Sequence, residues 1–151
     1  MWYSTALEYG RTIIHCWGKV NIKCMDIEID IKPNYIHAYI SGEFSLSEAK
    51  RIFLVVLDSL VKNKIDKVLF DGQEVTGTLK DMERFYYGEF AANTVKDLLK
   101  RESLHCVPKF AYVLKEPTLD PQRFGETVAI NRGMIVKAFD VPEDALAWLG
   151  L

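Results

Sequence analysis

The chain has 151 residues, 49% of them hydrophobic and 26% charged, which suits one globular domain with a sizeable core. A formal net charge of −2 excludes the basic footprint that nucleic acid or an anionic membrane surface selects. No apolar run approaches the roughly 18 residues of a membrane span, and residues 1–8 lack the basic-then-apolar order of a signal peptide, so a cytoplasmic protein is expected.

Residues 1–24 are apolar without a clean period, through Trp2, Tyr3, Tyr9, Ile13, Ile14 and Trp17. They read as an N-terminal extension, a short helix plus an extra strand, that covers the core or pairs two copies into a homodimer. Residues 25–151 read as the domain proper. Met25–Ile31 alternates strictly between apolar and acidic residues, the period of a strand with one wet face. Lys32-Pro33-Asn34 is a turn signal, and Tyr35–Ile40 is a second strand closed by Ser41-Gly42. The short connection makes the two strands an antiparallel hairpin.

Ser45-Leu46-Ser47-Glu48 has the spacing of a capping box. The helix it opens carries Ala49, Ile52, Phe53, Val56, Leu57, Leu60 and Val61 on one stripe and ends near Lys64. Lys67–Phe70 is a short strand, apolar enough to be buried on both faces and parallel to a neighbour. A polar loop, 71–80, leads to a long helix from about Leu79 to Lys100, with Met82, Phe85, Tyr86, Phe90 and Leu98 expected on its inner face. Gly88 within that helix costs about 1 kcal/mol relative to Ala, which suggests close packing or a bend there.

Lys109–Leu114 is a fourth strand. Asp120-Pro121 reads as the start of a third helix, with Phe124 and Val128 inward and Gly133 as its stop. Met134–Phe139 is a fifth strand, and Asp140-Val141-Pro142-Glu143 has the form of a last capping box, opening a short helix that ends at Gly150. The order ββαβαβαβα predicts an α/β fold with a mixed, mostly parallel five-stranded sheet and about four helices.

Ile36–Phe44 (IHAYISGEF), Val68-Leu69-Phe70-Asp71 and the closing stretch Val136–Leu149 together resemble the STAS domain, and within it the SpoIIAA-like (anti-sigma-factor-antagonist-like) branch of small bacterial proteins. The resemblance spans about residues 25–150. It implies a regulatory domain without enzymatic activity, which binds a protein partner of the regulator or kinase class around its second helix. It also implies a phosphoacceptor hydroxyl at that helix's N-terminus. A gap-free count from Asp71 puts that position near Lys80, which has no hydroxyl, so the phosphoswitch looks degraded. Some SpoIIAA-like proteins also resemble lipid-carrier folds with an apolar pocket beneath the helices.

Three readings of the loop stand side by side. Thr78-Leu79-Lys80-Asp81 could cap the helix, with Thr78 accepting a first-turn N–H for about 1 kcal/mol. Thr76 and Thr78, the loop's hydroxyls, are the phosphoacceptor candidates. Gly72, Gly77, Lys80 and the helix N-terminus could cradle an anion, against the negative charge of Asp71, Glu74 and Asp81. The residues favour a capped turn on a recognition surface.

That surface would comprise Asp71, Phe85, Tyr86, Tyr87 and Phe90, with Tyr86 and Tyr87 exposed to a partner or lining a pocket. The competing function is a carrier or sensor of a small apolar, lipid-like ligand held between sheet and helices. A cavity of about 300 Å³ would favour it and a solid core would remove it.

No catalytic set is legible. His15, His37 and His105 lack a nucleophile or acid at a telling spacing. Cys16, Cys24 and Cys106 are an odd count without CxxC spacing, so neither a disulfide framework nor a metal site is expected. No cofactor is implied.

Overall fold

Strict alternation at residues 25–31 becomes a strand whose Met25, Ile27 and Ile29 are buried while Asp26, Glu28 and Asp30 stay partly accessible. The structure, a computed structural model, describes residues 2–8, 11–17, 24–104 and 106–151, with side chains for 11–14, 24–104 and 106–151. Its elements are β1 (Trp2–Glu8), β2 (Arg11–Trp17), β3 (Met25–Ile31), β4 (Ile36–Glu43), α1 (Leu46–Asn63), β5 (Lys67–Thr76), α2 (Asp81–Arg101), β6 (Lys109–Leu114), α3 (Phe124–Asn131), β7 (Ile135–Phe139) and α4 (Pro142–Leu149).

The α/β class and the mixed sheet are as expected, but among the described residues the sheet has seven strands, in chain order from β1 to β7. The two additional strands come from the N-terminal extension. There β1 and β2 form a hairpin that pairs antiparallel with β3, in place of the expected helix. The pairing of β3 with β4 is antiparallel, and β4–β5, β5–β6 and β6–β7 are parallel. The parallel half is therefore confined to β4–β7.

One face of the sheet holds the main core. The α1 stripe Ala49, Ile52, Phe53, Val56, Leu57 and Leu60 is buried as its spacing predicts. It packs with Val68, Phe70 and Phe110 beneath, and Phe53 lies 5.5 Å from Phe110 and 6.0 Å from Phe70, centroid to centroid. A smaller core on the opposite face places α4 over the parallel strands through Leu69, Ala111, Val113, Ala145 and Leu149.

The glycine stops form as expected, with Gly133 and Gly150 at positive φ just past α3 and at the end of α4, but none of the expected N-terminal caps forms as drawn. Ser45 is the N-cap of α1 by backbone, but its hydroxyl pairs with that of Ser47 at 3.1 Å, and Glu48 bonds Arg51 at 2.9 Å instead of reaching back. The third helix starts at Phe124 rather than at Pro121, because the Asp120 carboxylate first closes a turn by accepting the N–H groups of Gln122 and Phe124. The last helix has Val141 as N-cap without a side-chain bond and is set by Pro142 at its first position.

Candidate functional site

The segment 71–80 is mostly strand. Tyr39 pairs with Asp71 but Ser41 pairs with Glu74, so Ile40 alone stands opposite Gly72 and Gln73. This bulge adds one residue to β5. It shifts the alternation so that Phe70, Gly72 and Val75 all reach the core side, and β5 continues to Thr76. The true connection to α2 is only residues 77–80.

Helix α2 accordingly begins at Asp81, with Lys80 as N-cap, and the Thr78 cap is not made. The Glu83 carboxylate accepts the Lys80 N–H at 2.8 Å, which ties the first turn back on itself. Thr76 is exposed on β5, with its hydroxyl 3.5 Å from the Gly42 carbonyl; Thr78 and Lys80 are exposed; Gly77 is half-buried at φ +98°. An anion at this helix end would meet Asp81 and Glu83 and would compete with Glu83 for the Lys80 N–H.

The five residues expected on one surface lie in separate settings. Asp71 points to the far face of the sheet, where its carboxylate receives a 3.4 Å contact from His37 Nε2 and hydrogen bonds from the Gln73 side chain and N–H. The His37 bond, followed by those from Gln73, holds the Asp71 carboxyl below its ordinary value against the opposing effect of burial. Phe90 packs edge-on against Phe53 under the Lys50 ammonium. Phe85 is half-buried, edge-on to Tyr86 and beneath the Arg132 guanidinium, which Glu89 holds at 3.1 Å.

Tyr86 and Met82 face solvent, at 45% and 56% exposure, rather than lining the inner face of α2. The small residues Gly88, Ala91 and Ala92, with Val95 and Leu98, form that face. At Gly88 α2 lies too close to α3 for any side chain: a Cβ added there would meet the Gly125 carbonyl oxygen at 2.7 Å.

Tyr87 turns inward, on the pocket-lining rather than the partner-facing side of the expectation, and its hydroxyl is 2.8 Å from that of Tyr112 on β6. Phe70 stacks on Tyr112 at 4.6 Å. Desolvation in this setting pushes both phenols well above their ordinary pKa, so both remain protonated.

The tyrosine pair lines a cavity of about 150 Å³ between the sheet, α2 and α3, whose walls include Met25, Ile40, Phe44, Ile52 and Met134 and are almost wholly apolar. This is neither a solid core nor the roughly 300 Å³ at which pockets for drug-sized ligands begin. It is the size of an engineered apolar cavity that stays dry and takes up benzene. The bulge contributes Gly72 and Val75 to its wall. Sequence reading did not find the pair, because Tyr87 and Tyr112 lie 25 residues apart and neither carries a local signature.

Among the described residues no group of three metal-ligating side chains is gathered, and no helix is long and apolar enough to cross a membrane. The side chains of His15 and Cys16, and all of His105, lie outside the described residues.

No family model and no curated protein matches the sequence. Solved structures do. The crystal structure of an anti-sigma factor antagonist from Mycobacterium paratuberculosis aligns at TM-score 0.54 and 14% identity, over 84% of this chain and 95% of that one. An uncharacterized protein with a SpoIIAA-like fold from Shewanella loihica aligns more loosely, at TM-score 0.46 and 19% identity, over 88% of this chain and 99% of that one. At such identities the likeness concerns the fold alone: this chain shares the fold of that anti-sigma factor antagonist.

Proposed function

We infer that this is a non-enzymatic, cytoplasmic regulatory domain that binds a protein partner on the outer face of α2 near its N-terminus. The observation that carries the reading is the pair Met82 and Tyr86. They are one turn apart, both large and apolar, and both largely exposed. Exposed Met and Tyr are residue types enriched at the centres of protein interfaces. The fold shared with an anti-sigma factor antagonist supports a partner of the regulator or kinase class. Lys80 at the N-cap supports docking without a phosphoswitch at that position, since it offers no hydroxyl for phosphate.

The test is a Met82→Lys/Tyr86→Ala double variant, used beside the native chain to recover partners from host cells. The reading expects a folded domain that has lost its principal partner. Recovery of the same partners by both proteins would mean the surface is wrongly assigned.

A second reading rests on the cavity, although its volume is about half of that expected for such a site. An apolar hollow large enough for a benzene-sized molecule, lying beneath α2 and α3, supports a carrier or sensor of a small apolar ligand.

A further inference from the structure

We propose that the cavity takes a small, neutral, largely apolar molecule bearing one hydrogen-bond acceptor such as a carbonyl, and that the Tyr87–Tyr112 hydroxyl pair receives that acceptor. The proposal rests on the second reading above, that the cavity is a ligand site.

Two phenols bring two O–H protons, and the bond between them uses one. Whichever tyrosine donates, the other keeps a proton, and among the described residues neither hydroxyl makes a hydrogen bond besides the mutual one. The pair stands in the wall of an otherwise apolar cavity.

The other polar side chains around the cavity are already engaged. Thr118 donates to the carbonyls of Val75 and Gly77. Arg84 donates to the carbonyls of Thr118 and Pro117. Arg123 binds the Ala138 carbonyl and Glu126, while Glu126 also accepts the Ala138 N–H. Asp120 accepts two backbone N–H groups. The spare phenolic proton is thus the feature that selects.

Neutrality follows from the same inventory. The two arginines and the two carboxylates balance in charge, and each is held by backbone or by another side chain. A carboxylate entering the cavity would have to shed its water for one phenol donor. Both phenols stay protonated through ordinary pH, so the spare proton is present for an acceptor. Volume limits the molecule to about the size of a substituted benzene.

The experiment uses the full chain with three probes: carbonyl-labelled acetophenone, α-methylstyrene (the same shape with CH₂ in place of oxygen) and benzoate. The proposal expects acetophenone to saturate one site, with its carbonyl stretch at lower wavenumber than in hexane, and benzoate not to bind. In Tyr87→Phe/Tyr112→Phe it expects acetophenone to weaken roughly five- to tenfold and α-methylstyrene to keep its affinity.

If both neutral probes bind but the carbonyl stretch matches that in hexane, or the double variant affects both alike, the hydroxyl role is overturned while the cavity stands as a ligand site. If neither neutral probe binds, the ligand reading itself fails. Benzoate binding more tightly than acetophenone would overturn the neutral class. The vibrational readout is taken on the native chain, so it decides the matter even if the double variant does not fold.

Discussion

Gly88 on α2 faces the carbonyl oxygen of Gly125 on α3 so closely that a Cβ at position 88 would lie 2.7 Å from it and 3.3 Å from Val128 Cγ1. The two helices meet through bare backbone at the side of the cavity. Gly88→Ala would gain about 1 kcal/mol of helix propensity, yet it must push backbone aside. Overpacking of this kind costs about 1–3 kcal/mol, and the obstacle here is a carbonyl rather than a pliant side chain. Net destabilisation is the expected outcome in urea unfolding of the variant; a more stable Gly88→Ala protein would contradict the packing described.

The tyrosine pair should behave as a unit. Tyr87→Phe or Tyr112→Phe alone leaves one hydroxyl without its partner, at a cost of about 1 kcal/mol or more. The double variant leaves no orphan, so its cost should fall short of the sum of the singles. Denaturant unfolding of the four proteins measures the coupling, and strict additivity would mean that the 2.8 Å bond contributes nothing to stability.

Acid sensitivity should involve Asp71. Its folded pKa is depressed, first by the His37 bond and then by Gln73. A depressed carboxyl contributes stability that is fully present above its unfolded value, near 3.8, and is lost as pH falls through the lower folded value. Unfolding midpoints of the native chain should therefore drop on acidification below about pH 4 more steeply than those of Asp71→Asn. Identical acid limbs would show that the contact is energetically idle.

The helix starts separate real caps from apparent ones. Glu83→Ala removes the acceptor of the Lys80 N–H and should cost about 1 kcal/mol. Thr78→Ala, at an exposed position outside the helix, should stay within about 0.5 kcal/mol of the native chain. The reverse order in thermal or urea melts would place the helix start at Thr78 after all.

Periodicity made most of the architecture legible. The alternation of β3 and the stripe of α1 each point to one buried face, and both were read correctly because many residues report the same period. Features that depend on one or two residues were not legible. Ser45, Thr78 and Asp140 each begin a capping pattern, but whether a hydroxyl or carboxylate bonds the helix depends on rival partners such as Ser47 and Arg51. The β5 bulge leaves no mark on hydropathy, since it only moves Val75 from one face to the other.

The inner face of α2 was misread for a related reason. Hydrophobicity singles out Met82 and Tyr86, whereas close approach to α3 demands a residue as small as Gly88, and Gly88, Ala91 and Ala92 are the buried ones. Residues 1–24 have no clean period, and their strands are set by pairing, β1 with β2 and β2 with β3, partners the sequence pattern does not identify.

The most direct test of the account is a photo-crosslinking residue placed at Tyr86 in the full chain and irradiated in host cells, with Lys96, exposed elsewhere on α2, as the control position. A domain that docks a protein on the Met82–Tyr86 face should give a discrete protein adduct from position 86, much weaker or absent from position 96. No adduct from position 86, or the same adducts from both positions, would contradict the assignment of this face.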